Sequence, residues 1–116
     1  MRPVSRFVPP ILLMAVIFAL SAQPDLNSGL GVWDLILRKC AHLAEYAILG
    51  ALLTRATRAP ALAVLVAGLY AVTDEVHQMF VEGRVGAPLD VAIDTVGALV
   101  GVLVWLRLER AWSARA

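Results

Sequence analysis

Four apolar runs divide this chain, and each is close to the length of a bilayer crossing; no other feature limits its fold so severely. They cover 7–22, 33–54, 61–80 and 89–108. At 1.5 Å rise per residue, roughly 20 helical residues cross the hydrocarbon core. A chain of 116 residues has room for little beyond these runs and their connections. The connections PDLNSGLG, RATRAP and VEGRVGAP are short and rich in Gly, Pro, Asn or charge, as turns are. The expected architecture is all-α, one domain over 1–116 folded as a four-transmembrane-helix bundle.

Composition agrees and removes the alternatives. Hydrophobic residues make up 60% of the chain and charged residues 16%, whereas a soluble domain is nearer half apolar and a quarter charged. Disorder is excluded on the same grounds. Ten Lys/Arg balance nine Asp/Glu to a net charge of +1, which argues against a nucleic-acid partner. The single cysteine, Cys40, permits no intramolecular disulfide and no Cys-rich metal site.

The first run has two readings. Pro9 and Pro10 stand at its start, where a helix tolerates proline because the first N–H groups lack partners anyway. Arg2, Arg6, the apolar stretch and Ala19-Leu20-Ser21 also match a cleavable signal peptide, whose removal would leave three spans. Retention, with four spans, is the expectation.

Lys/Arg placement sets the orientation. With four spans, Arg2, Arg6, Arg55, Arg58, Arg107, Arg110 and Arg115 share one side, and Arg38, Lys39 and Arg84 the other. Both termini are therefore expected in the cytoplasm of a multi-pass protein of the bacterial inner (cytoplasmic) membrane. Trp33 should mark the outer interface, and Trp105 and Trp112 the inner one.

Ionisable residues interrupt three of the runs. The second carries Arg38, Lys39, His42, Glu45 and Tyr46, the third Asp74, Glu75, His77 and Gln78, and the fourth Asp90 and Asp94. An acidic group at mid-bilayer costs roughly 2.5–3.5 kcal/mol on insertion scales, so such residues face the bundle interior and point to function. Alternating chain direction brings all three polar segments into the outer-leaflet half. Segments 47–53, 61–72 and 95–106, the inner halves, hold no charge. An ion conduit needs polar stations through the whole thickness, so transport is disfavoured. At 100° per residue, Arg38, His42, Glu45 and Leu49 form one stripe, Asp74 and Gln78 another, and Asp90, Asp94, Gly97 and Gly101 a third. Gly97 and Gly101 make a GxxxG element that allows close helix packing.

RKCAHLAEYAILG (38–50), DEVHQMFVEGR (74–84) and DVAIDTVGALVG (90–101) together resemble the VanZ-like family of bacterial membrane proteins, as does Ser21-Ala22-Gln23-Pro24. The matching positions are Arg38, Lys39, His42, Glu45, Tyr46, Asp74, Glu75, Gln78, Arg84, Asp90, Asp94 and Gly97. Leu43 stands where the family usually has an aromatic residue, and Glu82-Gly83-Arg84 where Pro-Gly-Arg is frequent. The resemblance implies a cell-envelope membrane protein with a link to resistance to the glycopeptide antibiotic teicoplanin. It assigns no catalytic residue.

The residues themselves suggest several chemistries. His42, Glu75 and Asp94 are the candidates for proton transfer in a hydrolase or transferase. Arg38, Lys39, Glu45, Tyr46, Asp74, Gln78, Arg84 and Asp90 are the candidates for ligand binding, with the cations suited to phosphate. Cys40 is turned away from His42 on a helix and reads as a packing residue. His77 lies off the main stripe and reads the same way, while Asp25, Asp34 and Glu109 read as solvated charges. No metal signature such as HExxH is present, and no cofactor is expected, although His42, Glu45, Glu75, Asp90 and Asp94 carry donor atoms suited to a divalent cation. The leading expectation is recognition, extending to modification, of an anionic lipid or lipid-linked cell-envelope precursor. Against it stands a non-catalytic accessory subunit that packs on another membrane protein and whose polar network only ties helices together.

Overall fold

The computed structural model describes residues 3–21, 32–81 and 88–114. They form four helices, α1 (Pro3–Ser21), α2 (Val32–Thr57), α3 (Pro60–Gln78) and α4 (Pro88–Ala114), with no strand among the described residues. Both α3 and α4 begin on a proline, whose fixed φ suits the first helical turn and whose missing N–H is not needed there.

The helix ends depart from the apolar runs. α2 continues through Thr57 and α4 through Ala114, because Ala, Arg, Leu and Glu sustain a helix after apolarity has ended. α1 starts at Pro3 and carries Pro9 and Pro10 in its interior rather than at its start. Each withholds one N–H from the ladder, and the Pro10 ring is buried against the other helices. Between α2 and α3 the chain reverses in two residues. Arg58 takes φ 56°, its amide bonds Thr54 O at 2.8 Å, and Thr57 Oγ1 donates to Leu53 O at 2.7 Å. This is a left-handed C-terminal cap built without glycine.

Paired residues reveal the helix directions. Lys39 bonds Asp90 and His42 bonds Asp94, and Ala47 lies under Gly101. Numbers rise together, so α2 and α4 run parallel. Tyr70 donates to Met14 O, and Gln78 Nε2 donates to Ser21 Oγ at 3.4 Å, so α1 and α3 are also parallel. The tight turn sets α3 antiparallel to α2. The C-terminal ends of α1 and α3 therefore meet the N-terminal halves of α2 and α4 at one end of the bundle.

Small residues bring the helices close. Ala63, Ala67 and Ala71 form a fully buried stripe on α3 against Ile17, Tyr46, Leu49 and Ala98. A Cβ on Gly101 would lie 1.8 Å from Ala47 O, one on Gly97 2.9 Å from Leu43 O, and one on Gly50 2.3 Å from Ala98 O. Backbone rests on backbone here, which only glycine allows.

The outward faces are apolar. Leu62, Leu65, Leu69, Val72 and Val76 stand exposed along α3, as do Ile36, Leu37 and Ile48 on α2. Two helices, α1 and α4, are long and apolar enough to cross a membrane, each with a mean hydropathy of 1.9. Most of the ionisable groups singled out above belong to α2 and α3.

Candidate functional site in the polar end of the bundle

α2, α3 and α4 each contribute one turn-spaced set of polar side chains to the shared end. From α2 come Lys39, His42, Glu45 and Tyr46, from α3 Asp74, Glu75 and Gln78, and from α4 Asp90 and Asp94. The α2/α4 contact fixes the relative depth. Gly97 and Gly101 seat α4 on Leu43 and Ala47, and Asp94, one turn before Gly97, then faces His42.

Two pairs cross this interface. Lys39 Nζ donates to Asp90 Oδ1 near the rim, where both side chains keep some exposure. Deeper in, His42 Nδ1 and Asp94 Oδ1 form a hydrogen-bonded pair at 3.2 Å. The His42 ring stacks with that of Tyr46, centroids 6.5 Å apart and planes 9° from parallel, and Tyr46 in turn meets Tyr70 on α3 at 6.3 Å. Glu45 is within Coulombic reach of His42, Asp74 and Asp94.

Asp74 joins this group from α3. One donor atom each from His42, Asp74 and Asp94 lie within 4.8 Å of one another. Asp74 is 2% exposed, Asp94 1% and Tyr46 0%. Among the described residues, neither carboxylate oxygen of Asp74 has a hydrogen-bond partner, nor does Asp94 Oδ2 or the Tyr46 hydroxyl. A buried carboxylate without donors is costly, and native interiors rarely tolerate one. Ser21 lies beside Asp74; its oxygen accepts from Gln78 Nε2, which leaves the hydroxyl proton free to turn toward the Asp74 carboxylate.

Most of the residues expected at a site thus converge. His42, Glu45, Tyr46, Asp74 and Asp94 gather in one group, Lys39 and Asp90 pair at the rim of the same end, and Gln78 reaches the α1 flank. Arg38 and Glu75 are also engaged in polar or electrostatic contact, with Glu75 buried. Arg84, Asp25 and the side chain of Asp34 lie outside the described residues. Cys40 is exposed on α2. His77 faces α1, where its ring stacks on Phe18 with centroids 4.0 Å apart, so packing accounts for it. Sequence reasoning missed the contribution of α1, through Ser21, Phe18 and Met14, because polar residues in α1 are too few to reveal a facing stripe. It also missed Tyr70, one of two tyrosines in the chain, whose interior position was the available signal.

The carboxylates of Asp74 and Asp94 are buried, while Lys39 and Asp90 at the rim keep some exposure. A cleft of about 480 Å³ opens at the opposite end, lined by Arg6, Thr54, Arg55, Arg58, Pro60, Leu106 and Glu109. Arg107 and Arg110 flank a second hollow on α4 at that end. The described arginines of the α1 start, the α2/α3 turn and the α4 end thus share one end, and the carboxylates of the site share the other.

The helix order, the motif spacing and this geometry agree with one finding from comparison with known proteins. The VanZ/LLP1 family model matches residues 5–109. The chain belongs to the VanZ/LLP1 family. The match spans all four helices and therefore every residue of the polar cluster. No curated protein and no solved structure matches the chain.

Proposed function

We propose that this VanZ/LLP1 chain is a four-span protein of the bacterial inner membrane that recognises an anionic lipid or lipid-linked envelope precursor at its polar end. The inside-out distribution of side chains supports the membrane part. Asp74, Asp94, Glu75 and Gln78 are buried, while Leu65, Leu69, Val100 and Val104 stand outside. Water would reverse that pattern and lipid favours it. The arginine-rich end supports cytoplasmic termini, since Lys and Arg collect on that side. The polar end then faces outward, toward the cell envelope.

One observation carries the binding reading: among the described residues, the Asp74 carboxylate is buried with no donor beside it except the Ser21 hydroxyl. A network whose only task is to tie helices together pairs its charges, because an unpaired one costs more than the network contributes. Oxygens with so few partners among the described residues leave room for a bound group to complete the site. Arg38 and Lys39, at the rim of the same end, suit a phosphate headgroup. Any chemical step at that headgroup falls to His42, Glu75 or Asp94.

Lipid extraction from the purified chain, followed by mass spectrometry, tests this. An anionic phospholipid or lipid-linked phosphate should co-purify and be depleted several-fold in Arg38→Ala and Arg84→Ala. Folded variants that retain the wild-type lipid complement refute it. The accessory-subunit reading predicts instead that Glu75→Gln lowers stability or assembly. The binding reading predicts lost function in a chain that is still stable.

A further inference from the structure

We propose that His42, Asp74 and Asp94 form a binding site for a divalent first-row transition-metal cation, of which Mn²⁺ and Zn²⁺ are the best matched.

Three donor atoms, one from each residue, lie within 4.8 Å of one another. A cation bound at about 2.0–2.2 Å to nitrogen and oxygen holds its ligands roughly 3–4 Å apart, so inward rotations of about an ångström close the set. Each donor comes from a different helix. The α2/α4 glycine contact and the α3 alanine stripe hold those helices at a fixed spacing, so the site is built on rigid elements and not on loops.

The independent observation is the pattern of missing partners. Among the described residues Oδ2 of Asp94 is unpartnered and Asp74 has no donor beside it except the Ser21 hydroxyl, in side chains 98% or more removed from solvent. The Tyr46 hydroxyl, fully buried and within Coulombic reach of both carboxylates, is likewise unpartnered. Three carboxylates, counting Glu45, surround one imidazole. Lys39 cannot balance them, because its ammonium is held by Asp90. A dication supplies the missing charge and occupies the free lone pairs. Donor type narrows its identity, since imidazole favours first-row transition metals over Mg²⁺ and Ca²⁺, and two carboxylates favour a borderline or hard member of that row. Tyr46, whose ring stacks with that of His42, helps hold the imidazole in its orientation.

This site deepens the headgroup reading without depending on it. An excess of carboxylates repels a phosphate, whereas a cation held among them attracts one. The cation therefore adds to the attraction that Arg38 and Lys39 exert on an anionic ligand.

The test uses the full chain in a phosphate-free detergent, stripped with EDTA, desalted and titrated with MnCl₂ while the free Mn²⁺ signal is followed by electron paramagnetic resonance. One Mn²⁺ should bind per chain. Asp74→Asn should weaken binding at least tenfold, and Glu109→Gln, at the opposite end of the bundle, should leave it within twofold. Pulsed spectra of the bound ion should show a nitrogen coupling that persists in His77→Ala and disappears in His42→Ala. Sub-stoichiometric binding by the wild-type chain overturns the proposal. So does unchanged affinity in folded Asp74→Asn, or bound Mn²⁺ without nitrogen coupling. The coupling is read on the wild-type chain, so the result stands even where a ligand variant fails to fold. No lipid is titrated here, so failure of this experiment leaves the headgroup reading intact, and loss of the headgroup reading leaves this one intact.

Discussion

Replacing Gly101 by alanine should damage the site from a distance of two helical turns. The added Cβ would lie 1.8 Å from Ala47 O, 2.5 Å from its carbonyl carbon and 2.6 Å from its Cα. Carbon approaches a carbonyl oxygen no closer than about 3.3 Å without repulsion, so α4 must withdraw from α2 by roughly 1.5 Å. All three clashing atoms are backbone, and no rotamer change relieves them. The withdrawal also opens the Gly97/Leu43 and Gly50/Ala98 contacts, which depend on the same spacing. Overpacking of this kind costs about 1–3 kcal/mol, occasionally more. It also carries Asp94 away from His42, whose present separation of 3.2 Å is near the limit of a hydrogen bond. Gly68→Ala is the control, because its Cβ would meet Thr95 at 3.6 and 3.7 Å, an ordinary contact. Removing glycine from a helix interior favours that variant by up to about 1 kcal/mol. Thermal unfolding in detergent, followed by circular dichroism, separates the cases. Gly101→Ala should melt well below wild type and Gly68→Ala at or above it. Equal melting of Gly101→Ala and wild type refutes the packing argument, and with it the explanation for how His42 and Asp94 are brought together.

Three further outcomes follow from other parts of the structure. Leu65, exposed in the uncharged half of α3, should resist charge if that face meets lipid. Leu65→Arg should cost about 2.5–3.5 kcal/mol of insertion, read as loss of membrane-integrated chain, and normal integration counts against α3 as a span. His42→Ala and Asp94→Asn should be non-additive in a double-mutant cycle by about 0.5–3 kcal/mol, and strict additivity removes the contact. Arg58→Gly should raise stability by about 1 kcal/mol, because φ 56° burdens a residue with a Cβ; a lower melting point shows that the arginine side chain contributes more than its backbone costs.

Convergence of the polar segments was legible in the chain because it needs only alternation. Helices that reverse direction at each short loop must bring the end of the third beside the beginnings of the second and fourth. The rotational stripe of Asp90, Asp94, Gly97 and Gly101 was legible for a related reason, since helical periodicity places carboxylates and close-packing glycines on one face. Periodicity does not reveal which neighbour that face meets. Asp74 and Gln78 share a stripe, yet the structure directs Asp74 toward His42 and Asp94 and Gln78 toward Ser21. That division depends on how α1 lies against α3, and α1 offers almost no polar pattern to read. The turn at Arg58 was illegible in the same sense, because a left-handed cap is normally announced by glycine and this one is held by Thr54 and Leu53 carbonyls. Glycine is used instead at Gly50, Gly97 and Gly101, where two backbones touch. The chain thus places its least bulky residues where they set the depth of Asp94 against His42. The carboxylates without partners sit just beyond that contact, on the polar side, so the spacing of the site is determined by packing that carries no charge.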